Sequence, residues 1–187
     1  MVSNFKCPIK LLRAQDNQVV DAIITGLTSK HIKDFVKLWQ PQLKGSDSED
    51  SKWNWQDKNQ RAGAGNELYA VECEGITQGL MIIEIFEDRC QIKSQLREPL
   101  VHVDYIATAP WNRKAINNPP IYKGVGGNLI DFAVDRSHEL GYKGRIGLHS
   151  LPDAVPFYRK IKIGLIDCGV DPDYPDELVY FESLSQD

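Results

Sequence analysis

The chain is short of cysteine, of positive charge and of long apolar runs, and each shortage removes a class of protein. Its four cysteines, Cys7, Cys73, Cys90 and Cys168, are scattered without a C-x-x-C pair. Neither a metal-binding knuckle nor a disulfide framework is indicated, and reduced thiols in a cytoplasmic protein are expected. Lysine and arginine total 22 against 26 aspartates and glutamates, a formal net charge of −4. That balance argues against a broad electropositive face for nucleic acid, though not against a local basic pocket. The opening MVSNFKCPIK lacks an apolar core of signal-peptide length. The longest apolar stretch, around LMII at residues 80–83, falls far short of a membrane span. No Gly-Lys dipeptide occurs, which excludes a Walker P-loop. No internal repeat is visible.

What remains is an ordinary globular composition, 42% apolar and 26% charged over 187 residues, long enough for one domain with a genuine core. IKLLRAQD (9–16) reads as a strand turning at Asp16-Asn17, and VVDAIITGL as a helix. A second helix follows a Thr28/Ser29 cap, with Ile32, Phe35, Val36, Trp39 and Leu43 at helical spacing and Pro41 interrupting or ending it. Residues 44–66 are polar, acidic and Gly-rich, and read as a long irregular excursion. Their acidic cluster lacks the glycine and the oxygen spacing of a calcium loop. Trp53 and Trp55 either anchor this excursion to the core or form a lid.

Strands are expected at ELYAVEC (67–73), TQGLMIIEIF (77–86), LVHVDYIATAP (100–110), RIGLHS (145–150), IGLIDC (163–168) and ELVYFES (177–183). Helices are expected from the glycines at 124 to a stop at Gly141, and after Ser150-Leu151-Pro152-Asp153. Strands that meander and then alternate with helices imply a mixed sheet covered by helices.

One stretch stands out: IYKGVGGNLIDFA (121–133), a lysine and three glycines running into an apolar-periodic helix. It is not the dinucleotide fingerprint G-x-G-x-x-G, because Leu129 takes the third glycine's place. Upstream, IATAP (106–110) ends a strand and WNR follows; downstream, a strand leads to AVPFYRK (154–160). A strand of type L-A-V-x-P-x-x-R, a G-x-G helix start, another strand and then A-x-x-F-Y resembles the GNAT superfamily of acyl-CoA-dependent N-acetyltransferases. The motif-bearing resemblance covers roughly residues 100–165.

The resemblance implies a single domain over 1–187, with the excursion at 44–66 and a loop insertion at 114–122. Its fold would be α+β, a mixed, mostly antiparallel sheet of six to seven strands flanked by helices on both faces. Acetyl-CoA would be the co-substrate and no metal is expected. Its pyrophosphate would rest on backbone N–H groups at Gly124, Val125, Gly126, Gly127 and Asn128, where a helix N-terminus favours anions and side chains would obstruct them. Lys123 and Arg113 would add positive charge. Ile106, Ala107 and Thr108 would hydrogen-bond the pantetheine arm as if it were another strand. Tyr158 matches the family tyrosine that protonates the departing thiolate. His102 and Asp104, two residues apart on one strand face, are candidates for the base that deprotonates the amine, His102 being the better by its ordinary titration range. His149 reads as structural or pocket-lining. Glu84, Glu87 and Asp88 read as a solvated strand end, with attraction of a cationic amine as the alternative.

The chain departs from the family pattern in three places. Ile121 stands where an arginine or glutamine usually begins the phosphate loop, Arg113 being displaced from it by KAINNPPIY. Leu151 stands where an asparagine is usual. FYRKIKIGL is longer than the usual ending by two residues. Direct transfer of acetyl to a primary amine is expected, since no cysteine lies between 100 and 165 for an acyl-enzyme. A catalytically inactive acyl-CoA sensor on the same fold is the alternative. The partners would be acetyl-CoA and an amine-bearing small molecule or protein, with no nucleic acid and no membrane, acting as monomer or homodimer.

Overall fold

A computed structural model describes residues 5–45, 48–174 and 178–186. Nine strands form one sheet in the order β6-β1-β2-β3-β4-β5-β7-β9-β8. They are β1 (Lys6–Arg13), β2 (Gln18–Gly26), β3 (Asn66–Cys73), β4 (Ile76–Glu84), β5 (Val101–Thr108), β6 (Tyr122–Lys123), β7 (Ile146–Ser150), β8 (Ile166–Val170) and β9 (Val179–Glu182). Five α-helices accompany them among the described residues: α1 (Ser29–Asp34), α2 (Gln40–Leu43), α3 (Trp55–Arg61), α4 (Val125–Glu139) and α5 (Val155–Tyr158). The fold is α+β with a mostly antiparallel sheet, as expected. The strand count exceeds six to seven because of two elements. VVDAIITGL (19–27), expected as a helix, falls on β2 as far as Gly26, and the two-residue β6 pairs with β1. Glu177, where the last expected strand began, lies outside the described residues, as do residues 1–4 of the opening stretch and Ser46-Asp47 of the excursion.

The error at β2 has a physical cause. VVDAIITGL fits helical and alternating patterns equally, and its β-branched content is the discriminating signal. Asn17 takes a positive φ of 55°, closing a tight turn that sets Arg13 opposite Gln18 and carries the hairpin to Lys6 opposite Thr25.

Close packing divides the chain into two compact units, and β4, β5 and α4 each pass from one to the other. The first comprises the residues up to Ile82 together with Tyr105–Leu129. Its core gathers Ile32, Phe35, Trp39, Leu43, Trp55, Leu80, Ile82, Ala107 and Ala109. Between α1 and α2 the backbone makes a π-helical turn, Phe35–Trp39. That turn carries an extra residue, and Val36, expected on the apolar face, is exposed while Phe35 and Trp39 are buried. The expected irregular excursion holds a 3-10 turn at Glu49–Lys52 and α3, whose Asn54 cap accepts from the Asp57 N–H at 3.0 Å. Trp55 is buried in the core cluster and Trp53 packs against it, so both tryptophans anchor this segment.

The second unit comprises Ile83–Asp104 and the residues from Ile130 onward. Helix α4 is followed by Gly141 at φ 78°, the expected stop. β5 pairs in parallel with β7 only from Val101 opposite Ile146 to Val103 opposite Leu148. β7 pairs antiparallel with β9 over Gly147–Ser150. A buried carboxylate organises this unit: Glu182 accepts from the backbone N–H groups of Gln91 and Ile92, from Gln95 Nε2 and from the Tyr180 hydroxyl. Gly147 makes room for that tyrosine, since a Cβ there would lie 2.6 Å from its hydroxyl oxygen. No helix among the described residues is long and apolar enough to cross a membrane.

The placement of α4 on the sheet depends on one further glycine. A Cβ built on Gly79 would lie 2.8 Å from Val125 Cγ1 and 3.0 Å from Leu129 Cδ1, so the first turn of α4 sits directly on the β4 backbone. Gly79→Ala should destabilise the protein by about 1–3 kcal/mol through overpacking. Urea unfolding monitored by tryptophan fluorescence would measure this, and an unchanged midpoint would contradict the close seating.

Candidate functional site

The expected residues come together in two groups, one within each unit. In the first unit, Lys123 ends β6 and Gly124 turns the chain into α4 with φ 95°, a conformation that side chains disfavour. The buried Val125 and Leu129, one helical turn apart, face inward against Gly79. Val125 can therefore offer a ligand its N–H but not its side chain. The first N–H groups of a helix have no intrahelical acceptor; here those of Val125, Gly126 and Gly127 find none among the described residues, whereas the Asn128 N–H bonds Gly124 O at 2.9 Å. The Asn128 side chain reaches back to the carbonyls of Gly124 (2.8 Å) and Lys10 (3.2 Å), buttressing the turn. A Cβ on Gly127 would meet nothing within 4 Å. Internal packing does not require that glycine, so the helix start is left open outward. Lys123 is exposed beside it.

Ile106, Ala107 and Thr108 form the end of β5, past Val103, where its ladder with β7 stops. Ala107 is buried in the core cluster, and Ile106 and Thr108 are half-buried. Arg113 has a different position from a freely offered phosphate ligand. Its Nε and Nη2 donate to the Thr108 carbonyl at 2.9 and 2.6 Å, and its Nη1 donates to Ser48 Oγ at 3.1 Å and Asp50 Oδ1 at 3.0 Å. Nη2 also pairs with Asp50 Oδ2. All five N–H groups of the guanidinium are thus engaged within the protein. The arginine ties the end of β5 to the 3-10 turn that bears the buried Asp50.

In the second unit, Tyr158 ends α5 with its ring buried against Phe181, centroids 5.6 Å apart. No described residue hydrogen-bonds its hydroxyl, and burial pushes the phenol well above its ordinary range. It is held in the protonated form, ready to donate. His102 and Asp104 are joined, Nδ1 to Oδ1 at 2.8 Å. The other ring nitrogen of His102 lies 3.2 Å from His149 Nδ1, and His149 Nε2 lies 2.9 Å from Asp171 Oδ2. Tyr174 stacks on His149 with centroids 3.7 Å apart.

Asp88 closes the cluster from the side. One side-chain oxygen or nitrogen from each of Asp88, His102 and Asp104 lies within 4.8 Å of the others. Since His102 commits both nitrogens to protein partners, this grouping presents carboxylates as a corner attractive to cations. Burial, with Glu84 and Asp104 nearby, raises the Asp88 carboxyl above its usual range despite the opposing pull of His102. Glu84 itself caps the loop after β4, accepting from the N–H groups of Phe86, Glu87 and Asp88. The residues that sequence reasoning missed are Gly79, Asp171 and the partnership of His149 with His102. None carries a local motif, so only the alternation that puts His102 and Asp104 on one strand face was available as a signal.

The Arg113–Asp50 pair is buried enough to test on its own. Arg113→Ala leaves the Asp50 carboxylate without its cation and should cost about 3–5 kcal/mol in chemical denaturation. A loss under about 1 kcal/mol, the range of an exposed pair, would show that the two are not coupled as drawn.

No protein-family model and no curated protein matches this chain. Solved structures do match in fold. A structure described as histone acetyltransferase HPA2 and related acetyltransferase, from Corynebacterium glutamicum, aligns with TM-score 0.57 at 12% identity, covering 88% of this chain and 96% of its own. The GNAT domain of S. lividans PAT aligns with TM-score 0.57 at 12% identity over 97% of this chain and 98% of that one. PaiA N-acetyltransferase from Thermoplasma acidophilum, solved in complex with coenzyme A, aligns with TM-score 0.55 at 12% identity, over 87% and 98%. Element order, the bare helix start and these alignments agree: the chain has the GNAT fold.

Proposed function

We propose that this protein transfers an acetyl group from acetyl-CoA to a primary amine by direct attack within a ternary complex, the whole chain acting as one acyltransferase domain. The observation that carries the reading is the uncovered start of α4. Three backbone N–H groups without acceptors among the described residues, a glycine at 127 with no packing role and the exposed Lys123 form an anion cradle. An anionic diphosphate such as that of coenzyme A fits it. A solved relative in fold carries coenzyme A, which supports the same choice.

Each residue then has a task. The N–H groups of Val125, Gly126 and Gly127 hold the diphosphate, with Lys123 adding charge. Asn128 and Gly124 fix the turn that aims them. The end of β5, Ile106 to Thr108, meets the pantetheine amides along an edge that β7 does not pair. Arg113 holds that strand end in place through Thr108. A lysine-like amine has an ordinary pKa of about 10.4 and is protonated near neutrality, so a proton must be removed before attack on the thioester carbonyl. The His102–Asp104 pair supplies the basic group. Tyr158 donates its hydroxyl proton to the departing thiolate, and burial keeps that proton available.

Two variants test the reading. Gly127→Leu places a side chain in the cradle while improving helix propensity. It should weaken coenzyme A binding by calorimetry at least about tenfold, equivalent to about 1.4 kcal/mol, with no loss of thermal stability; unchanged affinity would refute the cradle. Tyr158→Phe should keep coenzyme A affinity and lose most thiol release from acetyl-CoA across a panel of primary amines. If the unsubstituted protein binds coenzyme A but releases no thiol with any amine, the enzyme reading fails and an acyl-CoA sensor stands in its place.

A further inference from the structure

The four side chains Asp104, His102, His149 and Asp171 form an unbroken line of contacts at 2.8, 3.2 and 2.9 Å, and the proton count along it is constrained. An ionised carboxylate only accepts hydrogen bonds. His102 Nδ1, facing Asp104, and His149 Nε2, facing Asp171, therefore each carry a hydrogen. That leaves His102 Nε2 facing His149 Nδ1. Without a proton between them two lone pairs would oppose each other, and with two protons two N–H groups would collide. A single proton satisfies all three contacts and makes the imidazole pair a monocation between two carboxylates.

We infer that His102 and His149 hold one shared proton, that the line is a clamp which orients Asp104 as an ionised carboxylate, and that Asp104 rather than His102 meets the acceptor amine. Exposure points the same way, since the Asp104 side chain is 27% exposed and that of His102 only 7%. His149 and Asp171 are positioning residues, acting on Asp104 through His102. Burial lowers the affinity of His149 for a proton and the neighbouring His102 adds to that, against the pull of Asp171. Asp171 is itself held below its usual range, first by the hydrogen bond from His149.

Among the described residues, the pair is also faced by Asp88, beside His102 and Asp104, and by the rings of Tyr174 and Tyr180 against His149. Gln91 Nε2 contacts Asp171 at 3.4 Å. Asp88 adds negative charge near the monocation and so favours the shared proton, while the two tyrosines are neutral and the Tyr180 hydroxyl is directed to Glu182.

The role given to Asp104 rests on the acetyl-transfer reading; the proton count does not, and the test separates them. Nitrogen-15 spectra of the imidazoles, followed against pH, read the count directly. His149→Phe keeps a ring against Tyr174 but supplies neither an acceptor to His102 nor a donor to Asp171. Release of the proton from the pair's site should then shift to lower pH by about one unit. His149→Gln, whose amide accepts from His102 and donates to Asp171, should restore most of that shift. Should His149→Phe not fold, Asp171→Asn removes the anion at the far end and should move the midpoint in the same direction. An unchanged midpoint in these variants, or no rescue by glutamine, overturns the shared proton. In kinetics, the alkaline limb of kcat/KM for thiol release should follow the spectroscopic midpoint, and Asp104→Asn should abolish turnover while coenzyme A still binds. A shared proton in the spectra without amine-dependent thiol release would overturn the assignment to Asp104 and the transfer reading while leaving the count intact.

Discussion

The first amides of helix α4 find no acceptor among the described residues and a Cβ on Gly127 would meet nothing, yet the turn that holds those amides is pressed onto the sheet. Both conditions follow from the close approach at Gly79. Val125 and Leu129 sit on the bare backbone of β4, which fixes the helix start in position and in rotation about its axis. With Val125 turned inward, Gly127 is left where a Cβ would touch nothing. The N–H groups of the first turn carry the positive end of the helix dipole. A helix start pinned in this way is pre-organised for an anion, because little conformational freedom is lost when the anion arrives.

Two acidic groups buried elsewhere, Asp50 and Glu182, each have several partners among the described residues. Arg113 and Asp50 satisfy one another together with Ser48 and the Thr108 carbonyl, and Glu182 is held by backbone amides, Gln95 and Tyr180. Such networks add little net stability over apolar packing, but they penalise misplacement severely, since a lost partner strands a buried ion. Both lie at points where registry matters: the first at the end of β5, the second at the end of β9, where Glu182 pairs with Gly147 of β7. Within its unit, each fixes a strand that bears a candidate site residue.

Legibility varied with how local the cause was. The α4 start was readable because glycine, lysine and helical periodicity are adjacent in the chain, and the tryptophans at 53 and 55 signalled an anchored segment by being apolar in polar company. β2 was misread because nine residues with two compatible periodicities do not separate helix from strand, and the pairing with β1 decided the matter. Val36 was misplaced because a π-helical turn interrupts the 3.6-residue period within a continuous helical stretch. Arg113 was expected to add positive charge for the diphosphate; its guanidinium is bonded within the protein instead. Its partner Asp50 lies 63 residues earlier, inside a segment that the composition presents as irregular.

By itself the sequence determined the α+β class, the position of the glycine-opened helix and the presence of a tyrosine, a histidine and an aspartate in motif context, because these depend on propensities and spacings within a few residues. Tertiary structure alone decided what those side chains are free to do. His149 reaches His102 across 47 residues and Asp171 reaches His149 across 22, so whether an imidazole nitrogen is a base or a committed donor is settled by which strand and loop lie beside it. Hydrogen-bond capacity is finite at each atom, and its allocation is a property of packed neighbours in space.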